Sequence, residues 1–386
     1  MAMRIYNSLT RRQEELPPAP GLIRMYVCGS TVYQRIHVGN ARPFTLSLWL
    51  KRWLEQNGYR VKLVHNITDV DDRVYEASAA RGIGSRALAA EATEWFFEDT
   101  NDLGLGRPDV EPLASETIPE IIALVEELLG AGFAYVADGD VYFRVSRFPE
   151  YGRLSGARLE EMVAQEPSLL KEDQRDFALW KGQKPHEDAA WDSPWGPGRP
   201  GWHIECSAMA EKYLGPSFEI HGGGNDLRFP HHENELAQSR AAGREFARIW
   251  LHNGMLEIDE AKMSKSLGNV ATLRNVLDTW GREALLVFFL GGHWRKPIDF
   301  SDETMAQARA QAETLQNAFR LPARVDGHDG WERFASSLDD DFNTPEALAV
   351  MHDWASSGAQ QLLRRALDVF GLGTLAELPA APPRVV

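Results

Sequence analysis

The order of apolar and polar positions in the first 66 residues predicts a strand, a helix and a second strand. Residues 23–27 form a short apolar run typical of a buried strand. Residues 41–56 carry apolar side chains at helical spacing, and Asn57-Gly58 is a typical helix stop. Residues 60–65 alternate between polar and apolar side chains, which is typical of a strand. This order is typical of the first half of a parallel nucleotide-binding sheet.

The remaining pattern predicts that this sheet is interrupted and then completed. We expect the following elements: a helix over 118–129, a hairpin over 133–145 that turns at 137–140, a strand over 218–221, a helix from about 230 to 242, and a strand over 248–256. Beyond residue 273 the spacing is helical, with Thr344 as a cap and Pro345 in the first turn. We therefore predict an α/β fold, in which a Rossmann-like domain is split by an insertion and followed by a helical C-terminal region.

Two acidic runs, 69–72 and 339–341, have more than one interpretation. The first could bind Mg²⁺, but such runs more often cap the next helix, which we favour here. We expect the second to precede and cap a helix in the same way. Tryptophans such as Trp49 and Trp53 are expected in the core.

Composition narrows the class of protein. The 386 residues suggest two to three domains. Two cysteines, no apolar N-terminal run and no stretch of about 18 apolar residues favour a cytoplasmic protein without a membrane span. The net charge of −15 argues against nucleic acid as a partner, but residues 1–66 hold ten basic and three acidic residues, or +7. A basic segment there suits a polyphosphate ligand.

Two separated strings predict a site that adenylates a carboxylate with ATP. His37-Val38-Gly39-Asn40 falls at a predicted helix N-terminus, which favours anions. Ala261-Lys262-Met263-Ser264-Lys265-Ser266 supplies two lysines that can neutralise pyrophosphate. Residues 222–226, Gly-Gly-Gly-Asn-Asp, can bring backbone close to the nucleotide and offer Asp226 to the ribose. Alone, that glycine run would more simply be a flexible turn.

A metal site is a weaker hypothesis at this point. Cys28 ends the first strand, Cys206 lies far along the chain, and His231 and Glu235 share one face of a predicted helix. Two thiolates, an imidazole and a carboxylate make a plausible zinc set. However, His232 and Glu233 are equally available on the same turn, and lone buried cysteines are usually core residues.

Further strings give the chain a family resemblance over residues 4 to about 348. They are 25–29 (MYVCG), 66–69 (NITD), 151–156 (YGRLSG), 176–181 (DFALWK), 201–209 (GWHIECSAM), 221–224 (HGGG), 229–235 (FPHHENE) and 340–348 (DDFNTPEAL). Together with the two ATP strings they resemble cysteinyl-tRNA synthetase, a class I aminoacyl-tRNA synthetase.

The resemblance implies roles for individual residues. It implies one Zn²⁺ held by Cys28, Cys206, His231 and Glu235, and ATP with Mg²⁺ as substrate. It implies catalysis by His37, Lys262 and Lys265, and nucleotide binding by Gly39, Asn40, Gly223, Gly224, Asp226 and Lys265. It implies a cysteine pocket formed by Gly29, Thr68, Trp202 and His221. The partners implied are L-cysteine, ATP and cysteine tRNA, and we expect a monomer. Asn40 stands where the family usually has a second histidine, so we expect reduced or retuned activity.

We expect five parts along the chain. Residues 1–100 and 201–272 form the two halves of the catalytic domain, 101–200 the connective insertion, 273–320 a helical region that contacts the tRNA stem, and 321–386 a shortened helical domain with a disordered tail. We expect no anticodon-binding domain, because 38 residues follow Leu348. An alternative is a paralogous ligase that transfers cysteine to a small-molecule amine, as in mycothiol synthesis. A non-catalytic binding protein is disfavoured by the intact His37, Gly39, Lys262 and Lys265.

Overall fold

The structure, a computed structural model, describes residues 3–158, 166–258, 271–323 and 330–377. Lys262, Lys265 and the tail 378–386 lie outside these residues. The strands are β1 Arg4–Asn7, β2 Arg12–Glu15, β3 Leu22–Val27, β4 Arg60–His65, β5 Ala134–Ala137, β6 Asp140–Phe143, β7 Phe177–Gly182, β8 Gly198–Pro200, β9 Ser217–Gly224, β10 Phe246–Asn253, β11 Leu256–Ile258 and β12 Ile298–Phe300. The helices are α1 Val38–Gln56, α2 Asp72–Arg81, α3 Ser85–Asn101, α4 Ile118–Gly130, α5 Trp202–Leu214, α6 His231–Ala241, α7 Leu273–Trp280, α8 Arg282–Gly291, α9 Asp302–Asn317, α10 Gly330–Asp339, α11 Thr344–Ser357 and α12 Gln360–Val369.

A four-stranded parallel sheet positions the functional residues. Its strand order is β10-β9-β3-β4, with β3 paired to both β4 and β9. The chain moves outward from β3 to β4 on one side and from β9 to β10 on the other. The order therefore reverses between β3 and β9, and in open parallel sheets ligands bind in the crevice at the carboxyl ends of such strands. The predicted α/β fold with a parallel sheet is therefore confirmed.

A second, antiparallel sheet is formed by β5-β6-β7-β8 within the predicted insertion. The hairpin of β5 and β6 turns where the sequence predicts, with Asp138 and Gly139 at positive φ. This sheet packs with α4 and the N-terminal half of α5 in a hydrophobic cluster that includes Leu179, Trp180 and Ile204. Since α5 also carries Cys206, the insertion contacts the element that carries a predicted metal ligand.

The C-terminal helices share a hydrophobic cluster with the first half of the parallel sheet. Trp49 and Trp53 are 2% and 1% exposed, as predicted for core residues. Trp49 Nε1 donates to Phe370 O at 2.9 Å, and Trp53 Nε1 donates to Asp339 Oδ1 at 3.1 Å. Helix α1 is therefore packed between the sheet and the C-terminal helices. Within the described residues, no helix combines the length and apolar character needed to cross a membrane.

Several local predictions need correction. The predicted strand over 248–256 is two strands, because β10 ends at Asn253 and β11 pairs in parallel with β12. The region after residue 273 is therefore not wholly helical. Thr344 is the first residue of α11 rather than its cap, since the Asn343 side chain accepts from Glu346 N.

The two acidic runs also differ in outcome. The run 69–72 does cap the next helix, through Asp71, which accepts from Arg73 N at 3.0 Å. The run 339–341 does not: Asp341 instead accepts from Tyr6 N and forms an ion pair with Arg295. It joins the N-terminal strand to the C-terminal helices.

Candidate active site

Three elements bring the predicted metal ligands together at the reversal point of the sheet. Cys28 directly follows β3, Cys206 lies in the second turn of α5, and His231 and Glu235 lie one turn apart at the start of α6. One ligand atom from each of these four residues lies within 4.8 Å of the others. All four side chains are at most 5% exposed. His231 and Glu235 therefore lie on one face of α6, as their helical spacing predicts.

The side chains contact each other directly. Cys28 Sγ lies 3.3 Å from Glu235 Oε1, and His231 Nε2 lies 3.2 Å from the same oxygen. His231 Nδ1 lies 2.9 Å from His203 Nδ1, which leaves its Nε2 on the side of the cluster. Two thiols, an imidazole and a carboxylate form a donor set that zinc binds in proteins.

A second group of possible ligands overlaps the first. Cys28, His221, His232 and Glu235 also have ligand atoms within 4.8 Å of one another. In this group, His221 Nε2 lies 2.8 Å from Glu235 Oε2, and His232 Nδ1 lies 2.8 Å from His252 Nε2. His232, which the sequence could not separate from His231, is therefore close enough to be a ligand as well. Cys28 and Glu235 belong to both groups. Cys206 and His231 complete the first group, and His221 and His232 complete the second.

The protonation of the two thiols is unequal. Burial opposes ionisation of Cys206, but the hydrogen bond from Cys28 and the charge of His231 lower its pKa to about 6. Burial, followed by the hydrogen bond and charge of Cys206, raises the pKa of Cys28 well above its usual range. Two adjacent thiols thus share one proton near neutral pH, and one is available as a thiolate for a metal.

The predicted cysteine-pocket residues surround this cluster. Gly29 N donates to Asn66 Oδ1 at 2.9 Å, and Asn66 Nδ2 donates to Thr68 Oγ1 at 3.3 Å. The ring of His221 stacks on Trp250, with centroids 4.4 Å apart. Trp202 is 37% exposed, and its ring lies over His231 with centroids 4.3 Å apart. The structure brings all four residues to the cluster, two of them through Asn66.

The nucleotide loop lies at the N-terminus of α1. His37 is the N-cap, and its Nδ1 accepts from Gly39 N at 3.1 Å. Burial lowers the pKa of His37, so that the ring is neutral at pH 7. Asn40 is exposed. The N–H groups of Gly39 and Asn40 donate to His37 Nδ1 and His37 O, so the feature of this helix start that favours phosphate is the positive end of the helix dipole.

The chain that follows the lysine-containing string 261–266 returns to this loop. Val38 N donates to Ala271 O at 2.9 Å, and Leu273 N donates to Ile36 O at 2.8 Å. Lys262 and Lys265 themselves lie outside the described residues, so their placement stays a prediction. The contact nevertheless fixes the end of their segment beside His37.

Gly223, Gly224 and Asp226 lie at the carboxyl end of β9 and in the turn after it. A Cβ atom on Gly223 would lie 2.8 Å from the His232 ring, and one on Gly224 would lie 2.3 Å from Asp226 Oδ1. The buried His232 ring therefore requires glycine at position 223, whereas the exposed Asp226 side chain could move away from a Cβ atom on residue 224. Their predicted contacts with the nucleotide, like that of Asp226, stay predictions.

Sequence reasoning missed several residues around the site. Asn66 links Gly29, Thr68 and the thiol of Cys206, whose Sγ lies 3.7 Å from its Oδ1. Trp250 and His252 on β10 pack against His221 and His232. Two signals pointed to Asn66: its place in the string 66–69, and its position directly after a strand, like that of Cys28.

Comparison with known proteins identifies the sequences and family models that this chain resembles. A family model described as "tRNA synthetases class I (C) catalytic domain" matches residues 16–310, and one described as "DALR domain" matches residues 333–357. The cysteine–tRNA ligase of Symbiobacterium thermophilum is 46% identical over 404 residues, covering 98% of this chain and 86% of its own length. That of Thioalkalivibrio sulfidiphilus is 49% identical, covering 92% and 79%.

Solved structures agree on the fold. Methionyl-tRNA synthetase of Mycobacterium tuberculosis, in complex with methionyl-adenylate, has a TM-score of 0.66 at 17% identity and covers 92% of this chain and 88% of its own. A putative arginyl-tRNA synthetase from Campylobacter jejuni has a TM-score of 0.58 at 13% identity, covering 93% and 90%. From the family models and the close relatives together, we conclude that this chain belongs to the cysteine–tRNA ligase family of class I aminoacyl-tRNA synthetases.

Proposed function

We propose that this protein activates L-cysteine with ATP and transfers it to the 3′ end of cysteine tRNA. The observation that carries the proposal is the meeting of Cys28, Cys206, His231 and Glu235 at the reversal point of the parallel sheet. This thiol-rich cluster lies in the same crevice as the helix N-terminus that carries His37. One crevice can thus hold a sulfur-containing amino acid and a nucleotide side by side.

We propose that Cys28, Cys206, His231 and Glu235 hold a zinc ion. When bound, zinc supplies a soft ligand position for the substrate thiolate, which a serine hydroxyl cannot fill equally well. His203 Nδ1, 2.9 Å from His231 Nδ1, orients the imidazole, and Asn66 orients Gly29 and Thr68. These contacts fix the pocket in which the α-amino and carboxylate groups of cysteine would lie.

Adenylation of the bound cysteine then uses ATP held at the nucleotide loop. A carboxylate oxygen of cysteine attacks the α-phosphorus of ATP, which is bound with Mg²⁺, and the bond to the β-phosphate oxygen breaks. His37, Lys262 and Lys265 stabilise the charge on the leaving pyrophosphate. Gly39 and Asn40 place the phosphates at the positive end of the α1 dipole, and the exposed Asn40 side chain can donate a hydrogen bond to them. A ribose hydroxyl at the tRNA 3′ end then attacks the carbonyl of the adenylate, and AMP leaves.

Two findings favour tRNA over a small amine as acceptor. The DALR-domain match at residues 333–357 covers α10 and α11, outside the catalytic match. The two relatives compared above are named cysteine–tRNA ligases, and the match with this chain covers more than three quarters of the length of each. A small-amine ligase stays the alternative that the test must exclude.

The test is transfer of labelled cysteine to cysteine tRNA by the purified, zinc-loaded protein. Its companion is cysteine-dependent exchange of pyrophosphate into ATP, with serine in place of cysteine as control. Charging with exchange supports the proposal. Exchange without charging would identify a different acceptor, and absence of both would exclude the proposed reaction. A tRNA with a changed anticodon shows whether the anticodon contributes to recognition.

A further inference from the structure

Arg42 is a buried cation that the proposed reaction does not use. It lies in the second turn of α1, five residues after His37, and is 3% exposed. Among the described residues, no carboxylate lies within 4.0 Å of its guanidinium nitrogens. Burial lowers its pKa to about 10, so it remains charged at pH 7. Burying an unpaired charge is costly unless several hydrogen bonds replace its hydration.

Backbone carbonyl groups replace that hydration. Arg42 Nη1 donates to Gly254 O and, at 3.4 Å, to Met255 O. Its Nη2 donates to His293 O at 3.1 Å. One planar guanidinium thus binds two separate backbone segments, which the single ammonium of a lysine could not do in the same geometry.

The two segments bound by Arg42 are also held to each other. Gly254 N donates to Trp294 O at 2.8 Å. A Cβ atom on Gly254 would lie 2.1 Å from Lys296 O, so only glycine allows this approach. The turn at 254–255 therefore lies directly against residues 293–296, and Arg42 holds both against α1.

This turn borders the second half of the nucleotide site. Asn253, the last residue of β10, pairs with Gly224 of β9. A Cβ atom on Gly224 would lie 3.7 Å from Met255 Sδ. The residues on the other side of the site, His37 and Gly39, belong to the same helix as Arg42. Arg42 therefore connects the two halves of the nucleotide site, which lie far apart in the sequence.

We propose that Arg42 is a positioning residue for ATP: its guanidinium holds the N-terminus of α1 at a fixed distance from the 254–255 turn beside Gly224. This deepens the proposed function and rests on it. Adenylation depends steeply on the relative position of the groups that bind the phosphates and the ribose. Loss of the guanidinium would therefore change ATP use more than cysteine use.

The same helix supplies a matched control. Arg52 also donates to backbone carbonyls, with Nη2 at 2.8 Å from Leu105 O and Nη1 at 3.2 Å from Asp368 O. Burial also lowers its pKa. Arg52 lies almost three turns further along α1, away from His37. Substitution of Arg52 removes a similar set of hydrogen bonds without touching the nucleotide site.

The experiment compares Arg42→Met, Arg42→Lys and Arg52→Met in the full chain by pyrophosphate exchange, zinc content and thermal unfolding. For both Arg42 variants we expect kcat/KM for ATP to fall roughly ten- to hundredfold, with the KM for cysteine and the zinc content unchanged. Arg52→Met should change the ATP parameters by about twofold or less. If Arg42→Met does not fold, Arg42→Lys, which retains the charge, provides the comparison.

Three results would overturn the proposal: wild-type ATP parameters in the Arg42 variants, equal losses for ATP and cysteine, or the same ATP loss in Arg52→Met. If the wild-type protein shows no cysteine-dependent exchange, the proposed function fails instead. The role of Arg42 is then read from stabilisation against thermal unfolding by Mg²⁺-ATP. If Mg²⁺-ATP still stabilises the Arg42 variants, the positioning role of Arg42 is contradicted. If Mg²⁺-ATP no longer stabilises them but still stabilises Arg52→Met, that role is supported.

Discussion

The metal-ligand cluster and the nucleotide loop both include a residue of the segment between β3 and α1, but they are built differently. In the cluster, Cys28, Cys206, His231 and Glu235 come from three elements, are almost fully buried and contact each other directly. In the nucleotide loop, the side-chain contact of His37 is with Gly39, two residues away, and Asn40 is exposed. The cluster is therefore held by the fold, whereas the loop offers a ligand an exposed amide side chain and the positive end of a helix dipole. Substitutions in the two regions should therefore have different effects on zinc content, stability and adenylation.

The largest effect is expected for Cys206→Ser. Replacing the thiolate by a hard hydroxyl should lower the zinc content to well below about one ion per chain. It should also slow cysteine-dependent pyrophosphate exchange by about a thousandfold. Zinc content by atomic absorption and exchange by labelled pyrophosphate measure this. His232→Asn is the matched control, because His232 belongs only to the overlapping group. Zinc retained in Cys206→Ser and lost in His232→Asn would assign the metal to that second group.

His37→Asn tests the nucleotide side without disturbing the helix. Asparagine can still cap α1, so stability should change little, while adenylation falls about a hundredfold for want of the imidazole. Zinc content should stay at the wild-type level. His37→Ala should show the same loss of exchange together with a lower Tm, since the cap is also removed. Loss of zinc in His37→Asn would contradict the separation of the two regions.

Two glycines give the sharpest structural comparison. A Cβ atom on Gly29 would lie 1.6 Å from Asn66 O, whereas one on Gly39 would lie 3.3 Å from His37 Nδ1. Gly29→Ala should therefore lower the free energy of unfolding by about 2 kcal/mol or more, measured in urea. Gly39→Ala lies in a helix and should leave stability unchanged or raised, yet slow adenylation because its methyl group faces the approaching phosphates. Equal destabilisation by the two would show that both loops are fixed by internal packing.

The smallest effect concerns His65, which ends β4 between the two regions. Burial, aided by the charge of Arg107, lowers its pKa to about 3, and its ring stacks with Phe96. Below about pH 6.5 the unfolded chain binds a proton there that the folded protein does not, so stability falls as the pH is lowered. His65→Phe should reduce this loss by roughly 1.4 kcal/mol per pH unit between pH 6 and pH 5. Urea unfolding at both pH values measures it, and an unchanged slope would show that another group is responsible.

The same contrast explains what could be predicted from the sequence. The nucleotide loop is contiguous, so His37 and Gly39 and their place at the start of α1 follow from local rules. The cluster depends on which distant elements meet, and helical spacing alone could not choose between His231 and His232, both of which face possible ligands. There the family resemblance supplied the ligand set that spacing left open.

Long-range contacts account for the local errors as well. The hairpin of β1 and β2 was not predicted because residues 12–15 are polar, and its position is set by Asn7, which bonds to Arg248 O and Trp250 N. Asp341 was expected to cap a helix, yet it adopts a φ of 59° and binds Tyr6 and Arg295 instead. In both cases the partner lies more than 40 residues away and leaves no local signal.

The packing of α1 also determines which parts of the chain can be separated. Trp49 and Trp53 reach from this helix to Phe370 and Asp339, and the apolar side chains of α10, α11 and α12 belong to the same core as those of β3 and β4. A deletion that removed residues 330–377 would expose one side of α1, the helix that His37 caps. The smallest part of the chain that folds and catalyses on its own should therefore include these helices. Their removal should first displace the N-terminal end of α1 and so weaken phosphate binding.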